Sequence, residues 1–207
     1  MKKYEFTGEV KMWLGRTLHQ IRAVVTFGEI EAGEIGGWIE KEENLAQDGN
    51  AWVYGNAWVF GNALVYGNAG VFGNAQVFGN AQVYGNAWVF GNAQVYGNAQ
   101  VYGNAWVYGN AQVFGNAWVF GNVQVFGNAW VCGNAHYLTV GPIGSRNDTT
   151  TFFRTKSKEI YVTCGCFRGD IKAFAEAVKN THGDNEHAKI YFMAIEMAKL
   201  KIDLSRE

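Results

Sequence analysis

Between residues 49 and 138 the hydrophobic and polar positions recur every six residues, as Gly, Asn, Ala, a variable residue, Val, and Tyr or Phe. The unit begins at Gly49 and runs fifteen times to Leu138; it departs from pattern only at Val123, Cys132, Tyr137 and Leu138. A six-residue period is far shorter than the roughly 20–50 residues of helical or propeller repeats and matches the hexapeptide class of parallel β-helix. Successive side chains of a strand point to opposite faces, so Ala and Val share one side while the variable residue and the ring share the other. Glutamine amides enclosed in a narrow tube would lack partners, which predicts Ala and Val inside and the rings outside. Gly-Asn supplies the corner, because both residues tolerate positive φ and asparagine amides stacked from coil to coil can hydrogen-bond.

The flanks follow other periods. In residues 1–48, Ile21, Ala23 and Val25 alternate ahead of a glycine-rich turn at 33–37, predicting two or three strands that cap the open end of the coil. Beyond Pro142, residues 149–155 and 159–163 read as a hairpin. Asp170 is the expected N-cap of a helix that sets Phe174, Ala177 and Val178 on one face and stops at Gly183. A second helix is expected over 185–201, with Ile190, Tyr191, Ala194, Ile195 and Met197 as its apolar stripe. The chain thus divides into an N-terminal β cap (1–48), a coil (49–138) and a C-terminal ββαα module (139–207). A module that small has little core of its own and should dock on the coil end or on a neighbouring subunit.

Charge sharpens this division. The coil contains no Asp, Glu, Lys or Arg, so all 17 basic and 18 acidic residues lie in the flanks, and the net charge is −1. Nothing global attracts long nucleic acid or a membrane surface, and no apolar stretch approaches the roughly 18 residues of a spanning helix. Three cysteines without a secretion signal imply reduced thiols and a cytoplasmic protein.

The Val-x-x-x-Ala-x pattern resembles the left-handed β-helix hexapeptide superfamily. The segment from Gly33 to Glu40 (GEIGGWIE), followed by Asn44-Leu45 and Gly49-Asn50-Ala51-Trp52-Val53, is similar to the opening segment of hexapeptide proteins common in bacteriophages and prophages. Gly144-Ser145-Arg146, Gly165-Cys166-Phe167-Arg168-Gly169 and Thr181-His182-Gly183 resemble the tail module of the same proteins. The resemblance implies a mainly β, left-handed parallel β-helix with three sides per coil, hence about five coils, in the host cytoplasm if phage-encoded. Three columns of variable residues follow: Trp52, Gly70, Trp88, Trp106, Gln124; then Trp58, Gln76, Gln94, Gln112, Trp130; then Leu64, Gln82, Gln100, Trp118, His136. The second is expected to form a glutamine amide ladder.

Candidate chemistry is sparse. Hexapeptide coils suggest acetyl-CoA-dependent trimeric acyltransferases by analogy, which would need a histidine as general base. The coil has one, His136, expected to face outward where the coil meets the tail, and no loop interrupts the repeats to build an acceptor pocket. Cys164, Cys166 and His182 are soft ligands within one module, but Cys-x-Cys is not a zinc-knuckle loop, and no metal or cofactor is expected. A coil without threonine excludes an ice-binding array. Thirteen outward Tyr/Phe and six Trp exceed what a soluble monomer exposes, which predicts a homo-oligomer, with a trimer expected. Rings left uncovered, Trp118 and Trp130 with His136, can stack on a base. Any phosphate must then be met by Arg146, Arg154 or Arg168, unless Arg146 and Arg168 instead pair with Asp148 and Asp170. The reading that follows is a non-enzymatic oligomeric binding protein that sequesters a host small molecule such as a nucleotide; acyl transfer and a purely structural scaffold are the alternatives.

Overall fold

In the computed structural model, which describes residues 2–205, the chain is a parallel β-solenoid closed by a β cap at one end and a four-stranded sheet with two helices at the other. The cap comprises β1 (Tyr4–Trp13), β2 (Arg16–Ala23) and β3 (Ile35–Ile39). Fourteen two-residue strands, β4 (Trp52–Val53) to β17 (Trp130–Val131), then take the variable residue and the valine of each unit. They stack at a step of 18 residues into three faces, Trp88 pairing with Gly70 and Trp106, Gln94 with Gln76 and Gln112, Gln100 with Gln82 and Trp118. The expected columns are therefore the observed sheets, except at the last unit.

Every Ala and Val of the repeat interior up to Val131 is buried, Val123 included. The corner glycines hold φ between 53° and 77° from Gly55 to Gly127, and a Cβ on Gly97 would sit 2.9 Å from the Gly115 nitrogen. Only glycine fits both the dihedral and the space. The neighbouring asparagines form the amide ladders, Asn50 to Asn68 to Asn86 to Asn104 to Asn122 at 3.0–3.1 Å on one corner, with parallel ladders on the other two. Outside, the rings stack in three columns; in one, Tyr66, Tyr84, Tyr102 and Phe120 lie 4.7–5.2 Å apart.

Glutamines behave differently from expectation. Along the Gln76, Gln94, Gln112 column the amide contact is Gln94 to Gln76, at 3.5 Å. The stronger partners are tyrosine hydroxyls, Tyr84 donating to Gln100 at 3.1 Å and Tyr96 to Gln112 at 2.9 Å. The tyrosine two residues beyond the glutamine of the preceding layer, on the same face, reaches the amide more closely than that glutamine does.

At the N-terminal end, Tyr4, Ile21, Ile39 and Leu45 continue the apolar interior. Tyr4 and Phe27 cover Trp52 edge-on, leaving that indole fully buried although its position is outward in every later coil. Lys3 is drawn in as well, donating to the Ala51 carbonyl at 2.9 Å.

At the other end the fifteenth unit is not a strand: Asn134–His136 turns as a short 3-10 helix and β18 (Tyr137–Ile143) leaves the coil. It pairs with β19 (Asp148–Arg154), then β20 (Ile160–Cys164) and β21 (Phe167–Asp170). The module is thus ββββαα; the expected hairpin is its centre, and the two outer strands escaped notice because proline and glycine interrupt their alternation. In β19, Phe153 joins the coil interior while its neighbour Phe152 packs under α1 (Ile171–His182) and α2 (Glu186–Lys201). Asp170 caps α1 by accepting from Lys172 and Ala173, and Gly183 ends it, as the sequence predicts. Among the described residues no helix is long and apolar enough to cross a membrane.

Two expectations follow. Excising residues 73–90, one full coil, should keep the melting temperature within about 5 °C, whereas excising 73–81 places corners over faces and should abolish cooperative melting by circular dichroism. Stability should also depend on alkali. Burial lowers the Lys3 pKa from 10.5 to about 8, with Asp48 opposing. The unfolded chain then holds more protons than the folded one up to the ordinary lysine value, and stability rises with pH in that window. Burial raises Tyr137 to about 12 and moves Tyr4 and Tyr191 upward too, so the folded chain keeps protons that the unfolded one loses, and stability falls above about pH 10. Melting temperatures should therefore climb and then drop, with Lys3→Met removing the climb alone.

Candidate functional site

Two turns and two helices of the tail enclose a cleft of about 220 Å³. The turn between β18 and β19 contributes Ser145 and Arg146, with Asp148 just inside the strand. Gly144 turns there at φ 73°, and a Cβ on it would fall inside the Tyr191 hydroxyl, so glycine is required where the turn meets α2. Between β20 and β21 the loop is the two residues Gly165 and Cys166, Cys164 pairing with Phe167. Glycine at positive φ in the first loop position (φ 56°) is the requirement of a type II′ hairpin turn. Phe174, Ala177, Val178, Thr181 and His182 of α1 form the facing wall, and Tyr191 of α2 lies at the back.

The cleft is apolar at its floor and polar at its rim. Phe174 packs against Phe167 and edge-on against Tyr191, at ring separations of 5.1 and 5.6 Å. The Cys164 thiol lies 3.5 Å from the Tyr191 hydroxyl and accepts from Thr150 at 3.3 Å. Burial holds the Tyr191 phenol well above its ordinary pKa; Cys164 and Asp148 add to this and Arg146 opposes it. The His182 ring is 5.7 Å from both Tyr191 and His187. Among the described residues the ion pairs are Lys2–Glu42, Arg16–Glu40, Arg22–Glu5 and Lys199–Glu196, so Arg146 does not pair with Asp148. Its guanidinium remains available to an anion at the rim.

The residues singled out from sequence scatter. Arg146, Cys164, Cys166 and His182 come together in this cleft. Among the described residues no three His, Cys, Asp or Glu side chains group as metal ligands. Arg168 is on the coil side, donating from Nε to the Tyr108 hydroxyl at 3.0 Å rather than pairing with Asp170, whose carboxylate caps α1. Arg154 is 1% exposed, with Nη1 3.4 Å from His136 Nδ1. A guanidinium so enclosed cannot meet a ligand phosphate. His136 itself is 2% exposed; its ring lies against the Cys132 sulfur, closing the coil instead of facing outward. Folding of the last unit into a 3-10 turn is what swings it in. Trp118 and Trp130 lie on two different coil faces, the latter beneath the Lys156 ammonium.

Sequence reasoning missed Ser145, Phe167, Phe174, Thr181 and Tyr191 as cleft residues. The signal was present: the three short tail segments noted for their resemblance, at 144–146, 165–169 and 181–183, each supply residues to this one cleft.

A family model described as "YdcK Beta solenoid repeat" matches four overlapping stretches, residues 75–91, 81–97, 93–109 and 99–113. A curated protein of Escherichia coli (strain K12), described as "Uncharacterized acetyltransferase YdcK", is 51% identical over 37 residues. That match covers 18% of this chain and 11% of the length of YdcK. The chain carries a repeat β-solenoid similar to that of YdcK, and the family model's matches end at residue 113, before the residues that build the cleft begin.

Proposed function

We propose that this chain is a non-enzymatic binding protein of phage type, whose tail cleft holds a small anionic molecule of the host cytoplasm while the solenoid assembles it into a homotrimer. The observation that carries the reading is the convergence of three separate tail segments on one cleft with the Arg146 guanidinium at its rim. A guanidinium fork suits phosphate or carboxylate, and the Phe167 and Phe174 rings suit a planar group beneath it. The volume is below the roughly 300–1,000 Å³ of sites that enclose drug-sized ligands, so the cleft accommodates one base or one sugar phosphate and leaves the rest of a larger nucleotide outside. For the trimer, the support is the charge-free coil surface, where Trp88, Trp106, Trp118 and Phe120 are each more than 40% exposed.

Acyl transfer is the second reading, favoured by the description of YdcK as an acetyltransferase. The buried His136 argues against the coil histidine as its base, since a general base must reach the proton it removes.

Calorimetry with nucleoside monophosphates, cyclic dinucleotides, sugar phosphates and small dicarboxylates tests the binding reading. Arg146→Ala should weaken the best ligand by about 10-fold or more with the melting temperature little changed. Arg168→Ala should do the reverse, loosening the tail from the coil while affinity stays. If no probe binds below about 100 μM, the cleft is not an anion site. A coupled thiol-release assay with acetyl-CoA and amine or hydroxyl acceptors should show no turnover; turnover lost in His136→Ala would establish acyl transfer instead.

A further inference from the structure

The two tail helices share one core but differ in how they spend their apolar residues. In α1 the side chains turned from the core are mainly Lys172, Glu176, Lys179 and Asn180, the ordinary pattern of a helix with one buried face. In α2 the core face is complete with Ala188, Tyr191, Ala194, Ile195 and Ala198. Yet the opposite side carries Met193, Met197 and Leu200, which are 60%, 50% and 90% exposed, with half-buried Ile190 preceding them.

Their spacing is specific. Ile190, Met193, Met197 and Leu200 fall at intervals of three, four and three, the alternation of a and d positions in a heptad. An apolar seam at that spacing fits another helix, whose knobs enter the holes between these four residues, and fits a flat surface poorly. In the same heptad frame Glu196 occupies g and Lys201 occupies the following e. In a parallel pair, g of one helix faces the next e of its partner, so Glu196 and Lys201 would meet reciprocally across a two-fold axis. Both are exposed; Glu196 now holds Lys199 at 2.6 Å, and Lys201 reaches the Asn134 carbonyl at 3.3 Å.

We propose that α2 pairs in parallel with α2 of a second copy of this chain, through Ile190, Met193, Met197 and Leu200. The two-fold contact is independent of whatever covers the solenoid faces. It joins two tail modules at helices that each form the back of a cleft through Tyr191.

The full chain is examined by sedimentation velocity and light scattering, as wild type, as Met193→Glu/Met197→Glu, and as Glu196→Lys, Lys201→Glu and their double. The apolar-to-acid variant should halve the wild-type mass, with association weakened by about 30-fold or more and an unchanged melting profile, because its sites face solvent. Each charge reversal should weaken the pair and the double should restore it. In a Cys166→Ser background, Met197→Cys should give a covalent dimer under mild oxidation, as a–a′ neighbours in a parallel pair do. An unchanged mass in Met193→Glu/Met197→Glu, a monomeric wild type, or no disulfide through position 197 would each overturn the proposal.

Discussion

The structure depends on one steric constraint: the coil interior takes an alanine and a valine per side, with Val123 the one enlargement of an alanine site in the repeat. With those two residues inside, each strand can be only two residues long before the chain must turn, and glycine must make the turn because its successor lies 18 residues on, almost in contact. The backbone ladder then satisfies the peptide groups of Trp88, Gln94 and Gln100 from the layer above, as the Trp88 amide does by donating to the Ala105 carbonyl at 2.9 Å. Everything bulky or polar is forced outward. The ring columns and asparagine ladders are consequences of the interior.

This constraint explains what was legible beforehand. Inside and outside, the three columns and the corner chemistry follow from a strict period, because one unit's environment is every unit's environment. Legibility failed where the period ended. His136 occupies a variable position, and by pattern it faces out; the structure buries it because Tyr137 and Leu138 replace the valine and the ring and carry the chain away as β18. Trp52 is the mirror case, outward by pattern and buried by Tyr4 and Phe27, which no repeat encodes. The glutamine column was misjudged for a related reason, since its best partner is a tyrosine of the ring stack beside it and not the next glutamine.

The cleft was half legible. Arg146 attracted notice as a phosphate contact, and Cys164, Cys166 and His182 together as soft metal ligands. What sequence could not supply was their common location, which depends on β18 and β21 forming at all. Arg154 and Arg168 illustrate the complement. Both carry the right fork for phosphate, yet one is enclosed beside His136 and the other reaches a coil tyrosine. Side-chain chemistry ranked these three arginines alike, and only their places in the fold, one in a turn and two on strands, separate them.

The sameness of the units also leaves the coil without an address of its own. Any Gly-Asn-Ala unit could stack on any other, and a shift by one layer would preserve nearly every interior contact, every asparagine amide and most ring pairs. Correct threading therefore has to be specified at the ends: Trp52 has a pocket made for it under Tyr4 and Phe27, and Val131 and Cys132 lead into the turn that His136 closes. Between those two marks the chain is a homogeneous winding. Its folding is a problem of anchoring two termini in phase, with the middle free to slide until both are seated.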